Sequence, residues 1–505
     1  MIHDPLNLPE KIQIEADVCV IGSGAGGAVT AAVLAESGRK VVVIEEGGYY
    51  TRKDFNRDVL DMTKMMYRKT ATTMTFGNVP VPLPLGATVG GTTTINSGTM
   101  FKTPPKVLKE WEWTYGVTDA TPERLAPYFD RVEEMLDVQP VREEILGQNS
   151  KMIRQGAEIL GLSHGPLRRN ASLQCTGCGV CCFGCPTDGK RPMHLTYIPR
   201  AVSFGAEIYP NCMVTEILVR GRRAEGVKGI FNKPNSAGHA PTMEVRAKVV
   251  VLSAGTIYSP AILIRQKLCN SSGQVGLNLT IHPAGRVGAM FDEPIYGWKG
   301  VPQGYYVDEY AGEGIMLEGA HGPPALMAVS VPGAGKEFKE RISEITNYAD
   351  FGVMVSDTGK GRVRAPGKYA QPVMLYNMTN EDARRMVKGM ALTSAIFLAA
   401  GAREVYPGIG NYPTIRSAKD VQKLRETKLS PADLEVGAFH PLGTCRMGEN
   451  PQRSVVNSYL KAHDMDNLYI IDGSPFPSSL GVNPQESIMA FAHRSAEYIA
   501  NFEFK

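Results

Sequence analysis

The chain has 505 residues, 43% hydrophobic and 21% charged, which excludes a disordered or fibrous chain and allows two or more folding units. With 54 Lys and Arg against 51 Asp and Glu, the formal charge is +3, too balanced for the electrostatic footprint of a nucleic-acid binder. No run of apolar residues is long enough to cross a membrane and no basic-then-apolar leader opens the chain, so the expected address is cytoplasmic, with export alongside a partner subunit left open.

Asp17-Val18-Cys19-Val20-Ile21 predicts a short buried parallel strand. Gly22, Gly24 and Gly27 follow in G-x-G-x-x-G spacing, Ala28 to Ser37 predicts a helix, and Val41 to Ile44 predicts a second strand ending at Glu45. In such a unit the first glycine permits the turn, the second lets backbone N–H groups reach a pyrophosphate, and the third packs helix on strand. Glu45 stands where an acid accepts a ribose hydroxyl and repels a 2′-phosphate. This motif does not separate NAD from FAD. Met62, Met65 and Met66 lie at helical spacing and read as core or channel lining. The tract Gly86 to Gly98, with Gly90, Gly91, Thr94 and Asn96, has little to build a core from and suits backbone laid along a flat polar ligand.

Five of the nine cysteines fall between Cys175 and Cys185, and no disulfide framework is implied. Cys175, Cys178, Cys181 and Cys185 fit C-x2-C-x2-C-x3-C-P, the bacterial ferredoxin run, and so predict an iron–sulfur cluster of the 4Fe-4S or 3Fe-4S type. A lone cluster would use all four, a distant ligand such as Cys212, or three thiolates. A reduced cluster-free loop and a zinc site are the alternatives.

Further on, Arg220 to Arg223 reads as a solvated turn, and Lys248 to Gly255 as a third buried strand followed by Ser259 as N-cap and Pro260 at N1 of a helix. His282 reads as structural. Phe439-His440-Pro441 offers a histidine stiffened by proline, a candidate general base. Leu468 to Ile471 predicts a fourth strand, whose Asp472-Gly473 end would meet the cofactor. Asn483, Pro484, Gln485 and Glu486 read as N-cap to N3 of the last helix, with the Asn483 amide also free to bind a substrate oxygen. His493, in that helix, reads as packing.

The ordered segments VIGSGAGG, VIEEGG, GATVGGTTTINSGTM, SAGTIYSPAILI, VGLNLTIHPAG, FHPLGTCRMG and IDGSPFPSSLGVNPQES resemble the glucose-methanol-choline (GMC) flavin oxidoreductases over nearly the whole chain. The resemblance implies an α/β protein with a Rossmann-like FAD-binding domain (1–48, 86–101, 205–283 and 432–505). A second, smaller α+β substrate domain (49–85, 102–204 and 284–431) would carry the Cys-rich loop 170–192. It implies FAD held by Gly22, Gly24, Gly27, Glu45, Gly90, Gly91, Thr94, Asn96, Asp472, Gly473 and Pro484, and catalysis by His440 with Asn483. Some members bond the flavin covalently through a histidine; Ile95 occupies that place here, so the FAD is expected to be non-covalent.

The implied reaction oxidises a sugar, polyol, long-chain or cyclic alcohol to an aldehyde or ketone by hydride transfer to flavin N5. Sugar dehydrogenases of the superfamily have a similar cysteine run, which implies a relay through the cluster to a small subunit or cytochrome; the alternative is a cluster-free alcohol oxidase using oxygen. An electron-transfer reductase is disfavoured by His440 and Asn483 in their motifs, and a zinc-knuckle nucleic-acid binder by the charge balance.

Overall fold

β1 (Lys11–Ile21) changes character along its length in the computed structural model, which describes residues 1–319, 321–368 and 370–504. It alternates outward and inward over its first half and is wholly buried from Val18 to Ile21, where it lies between β2 (Val41–Ile44) and β3 (Thr242–Leu252), both parallel to it. Val18 sits beside Val41 on one side and Val249 on the other, so the continuous apolar runs are those of strands covered on both faces.

Glu207–Tyr209 extends the sheet beyond β2. The hairpin Cys212–Arg220 with Arg223–Phe231 pairs antiparallel with the first half of β3, while Leu468–Ile470 pairs parallel with its last residues, Val250 to Leu252. One strand thus has two partners along a single edge. α1 (Ala25–Glu36) is built of small and apolar residues and is buried almost all round, as a helix packed between layers must be.

α2 (Gly255–Gln266) follows β3 directly and starts earlier than Ser259-Pro260 suggested. Ser259 is needed inside it: its hydroxyl donates to Asp472 Oδ2 at 2.5 Å. Pro260 has no N–H to offer the Thr256 carbonyl, which instead accepts the Thr444 hydroxyl at 2.5 Å.

The second large sheet is antiparallel and centres on β4 (Ala284–Met290), β5 (Ile315–Glu318) and β6 (Tyr348–Val355), with β6 in the middle. α3 (Asn380–Ala399), N-capped by the Thr379 hydroxyl, packs on one face, where Leu317 and Val353 meet Gly389. Alternation sends Glu318, Arg286 and Gly352 to the opposite face, which fronts a cavity. Gly352 is paired with Arg286 on one side and Glu318 on the other.

Two main hydrophobic cores result, one around β1 to β3, the other between the second sheet and α3. The helices Pro105–Tyr115 and Pro122–Leu136 place Leu108, Trp111, Leu125 and Phe129 in the first core, against α4 (Gln485–Phe502). A smaller cluster joins Met62 and Met66 to Phe55, Ile95 and Phe183, so these methionines are core residues. Among the described residues no helix is long and apolar enough to cross a membrane.

Candidate active site

The chain leaves β1 through Gly22 at φ +96°, a conformation that side chains resist, with the Ser253 carbonyl in the space a Cβ would take. Ser23 N and Oγ donate to Glu45 Oε2 at 3.0 and 2.7 Å, and Gly47 N donates to Oε1 at 2.8 Å. Ser23 Oγ in turn accepts from Gly90 N at 3.0 Å. Glu45 is therefore the brace that joins the glycine turn, the end of β2 and the Gly86–Gly98 tract, as well as part of the cavity wall. Burial pushes its pKa up, against these hydrogen bonds.

The cavity measures about 1610 Å³. Gly22, Gly24, Gly91, Asn96, Asp472, Gly473 and Pro484 line it, whereas Gly27, Gly90 and Thr94 sit behind the wall and shape it. The N-termini of α1, α2 and α4 all end at it, concentrating outward-pointing N–H groups where an anionic ligand would lie. A Cβ on Gly24 would meet no protein atom nearer than Gly91 Cα at 4.0 Å. Bare backbone here faces open space, a cradle that a side chain would fill. Asp472 holds one end by accepting from Gly255 N at 2.9 Å and from Ser474 N at 2.8 Å. Asn96 donates to Gln485, fixing the tract to the start of α4. This combination fits FAD: a length of cavity, phosphate-facing amides at one end and a polar pair at the other.

That pair is His440 and Asn483. α4 begins at Gln485 with Pro484 in the cap position and no side-chain capping bond, so Asn483 is not the N-cap that its sequence suggested. Its amide turns into the cavity, donating to Glu318 Oε1 at 3.1 Å and meeting His440 Nε2 at 3.2 Å. That contact assigns the Nε2 lone pair to face Asn483. His282 is a brace: its Nε2 accepts from Leu480 N and Gly481 N, each at 2.9 Å, fixing the turn just before Asn483. Burial, then the neighbouring His282, hold the His440 pKa down to about 3, although the ring opens on the cavity.

Glu318 was not foreseen. It is buried, its Oε2 has no hydrogen-bond partner among the described residues, and burial pushes its pKa up to about 7 against the Asn483 hydrogen bond. The available signal was a single acid ending the apolar run Ile315-Met316-Leu317.

Among the described residues the cysteine run forms no metal-holding group of the kind its spacing predicted. Cys181 Sγ accepts from buried Arg169 at 3.2 Å, Cys185 Sγ accepts from Lys190 N at 3.3 Å, and Cys182 Sγ turns to Ser97 Oγ at 3.6 Å. Lys190 Nζ binds the carbonyls of Thr94, Asn96 and Cys181, stapling the loop to the cofactor tract. Cys175, Cys178, Cys181 and Cys185 all lie off the cavity, which Cys182 lines. Among the described residues no three Cys, His, Asp or Glu side chains stand together as a metal-holding group. The iron–sulfur cluster that the spacing predicted is therefore not supported.

A further raised acid lies in the first turn of α4. Glu486 is fully buried beside Glu133, and burial, then that carboxylate, push its pKa up to about 8. Glu133 itself is paired with Arg168 and Lys102. The folded chain thus keeps a proton that the unfolded chain releases near the ordinary value of 4.5, so stability should fall as pH rises from about 4.5 to about 8, by on the order of a few kcal/mol. Denaturant titrations across that window should show the slope in wild type and a flatter one in Glu486→Gln.

Residues 63–284 and 357–492 match the family models described as GMC oxidoreductase, and residues 20–60 match an NAD(P)-binding Rossmann-like domain. An uncharacterized GMC-type oxidoreductase of Mycobacterium tuberculosis is 36% identical over 94% of this chain and 74% of its own. A long-chain-alcohol oxidase of Arabidopsis thaliana is 29% identical over 97% of this chain and 69% of its own. The formate oxidase of Aspergillus oryzae, in a structure concerned with FAD modification, shares the fold at a TM-score of 0.73 and 16% identity, covering 97% of this chain and 98% of that one.

Proposed function

The chain belongs to the GMC oxidoreductase family and is an FAD oxidoreductase, and from that premise we propose that it oxidises an alcohol to the aldehyde or ketone, with oxygen taking the electrons. The balanced reaction is R₂CHOH + O₂ → R₂C=O + H₂O₂. The observation that carries this reading is the His440 Nε2 to Asn483 Nδ2 contact of 3.2 Å in the wall of the cavity onto which Gly24 opens.

FAD held by Gly22, Gly24, Gly91, Asn96, Asp472, Gly473 and Pro484 supplies the acceptor for the carbinol hydrogen and its electron pair. His440 is uncharged at neutral pH and offers Nε2 to the substrate hydroxyl proton. An entering substrate oxygen would take over the Asn483 N–H that now points at His440 Nε2, which frees that lone pair for the hydroxyl proton and orients the oxygen without a fixed charge opposing its deprotonation. Glu318, one hydrogen bond further on, is partly ionised near neutral pH and provides the countercharge when His440 takes the proton. The oxidase names of the Arabidopsis relatives support oxygen as the acceptor in place of a cluster and a partner subunit.

The test is anaerobic mixing with primary and cyclic alcohols. Bleaching of the flavin is expected, then recovery in air with one peroxide per turnover. Acid precipitation should leave the flavin in the supernatant, since Ile95 cannot bond it. A flavin that no alcohol bleaches would overturn alcohol oxidation; iron and acid-labile sulfide in cluster stoichiometry, with little peroxide, would overturn oxygen as the acceptor.

A further inference from the structure

Beyond Glu318, whose charge the reaction above uses, the wall formed by β4, β5 and β6 carries polar atoms that it does not use. Asp350, on β6, is 1% exposed and serves two cations or donors: its Oδ1 accepts from His321 Nδ1 at 2.5 Å, and its Oδ2 lies 3.0 Å from Arg286 Nε. Burial opposes the charge, but Arg286 and His321 outweigh it and hold the Asp350 carboxyl below its usual range. Asp350 is therefore an anion that fixes the Nδ1–H tautomer of His321.

That tautomer leaves Nε2 of His321 as a bare acceptor. The residue is 3% exposed, lines the same cavity as His440, and its Nε2 has no hydrogen-bond partner among the described residues. Oε2 of Glu318, three residues earlier, is in the same condition. Leaving a buried acceptor unmet is costly. Two such acceptors on one stretch of wall, with a third residue and a fourth spent on orienting one of them, mark a place where a ligand brings donors.

We propose that His321, oriented by Asp350, forms with Glu318 Oε2 a subsite for a second hydroxyl of the substrate, so that diols and other hydroxylated alcohols are preferred to plain alkanols. This rests on the alcohol-oxidising reading and adds the substrate class to it. The subsite acts by hydrogen bonding alone; the reacting carbinol stays at His440. Apolar side chains at Leu326, Val329 and Phe439 line other parts of the cavity and accommodate the carbon chain between or beyond the two hydroxyls.

The experiment compares 1-alkanols with α,ω-diols of matched length, by kcat/KM and by equilibrium titration of the oxidised holoenzyme followed through the flavin spectrum. The diol is expected to be favoured about tenfold or more, carried mainly by KM. His321→Leu should cut that ratio to near one, while His321→Gln, which keeps an acceptor, should restore part of it; flavin content shows whether each variant is folded. Equal binding of diol and alkanol by wild type would overturn the subsite, as would a preference that survives His321→Leu. Because binding is read without turnover, the subsite is decided even if no alcohol bleaches the flavin, a result that would count against the oxidation reading alone.

Discussion

Replacing His440 by Ala is expected to slow flavin reduction by alcohol about 10²- to 10⁴-fold, the usual contribution of a general base, with FAD still bound. His440 takes no part in the glycine turn, and its loss leaves Glu45, Asp472 and the α4 N-terminus in place. Stopped-flow reduction at saturating substrate measures it. The pH profile adds a second check. With its pKa near 3, His440 does not titrate over the working range, so the ionisation that shapes the rate should be that of Glu318 near 7, with the rate rising as the carboxylate forms. Glu318→Gln should remove that rise. A near-wild-type rate in the His440 variant would take the residue out of the mechanism, and loss of flavin would make it structural.

The other large effect separates two neighbouring glycines. A Cβ on Gly26 would lie 1.8 Å from the Ile471 carbonyl oxygen, backbone that cannot swing aside, so Gly26→Ala should destabilise the fold by about 3 kcal/mol and release FAD as a consequence. Gly24 has an ordinary φ of −72° and open space before it, so Gly24→Ala should change the stability of the apoprotein by no more than about 1 kcal/mol. Its methyl would stand where the cofactor must pass, and FAD affinity should fall on the order of 10²-fold, about 2.7 kcal/mol. Melting of the apoproteins and FAD titration together distinguish them. Equal melting temperatures for the two variants would show that the cradle is misassigned.

Why Gly26 escapes a reading of G-x-G-x-x-G is instructive. The motif marks what the turn and the ligand require locally, whereas Gly26 is needed because Ile471, far along the chain, crosses the start of α1. The same limit accounts for the other differences. Buried strands and the glycine turn are local patterns with local causes, and they were legible; His440 and Asn483 also stand in local motifs, which is why they could be picked as candidates. Glu318, His321 and Asp350 come together through the pairing of β5 with β6 and the His321–Asp350 hydrogen bond, and no spacing marks them. Asn483 had the composition of a cap, but its side chain meets Glu318 and His440 in the cavity wall instead. The cysteines had a ferredoxin spacing, yet among the described residues they form no metal-holding group, and spacing alone does not show that.

β3 has one further consequence, through the two partners on its edge. Its first half is met by a hairpin that precedes it in the chain, and its last three residues by Leu468–Ile470, more than two hundred residues later. During synthesis the hairpin can form and hold β3 as soon as both have emerged, but the sheet stays unfinished, and the wall carrying Asp472 and Asn483 does not exist until those residues have followed, more than two hundred positions later. Pairings of such sequence separation are slow, and an unpaired strand edge is a place for wrong partners. Cofactor capture therefore belongs to the final stage of folding, and the apolar end of β3 is the segment most exposed to misassembly while the ribosome completes the chain.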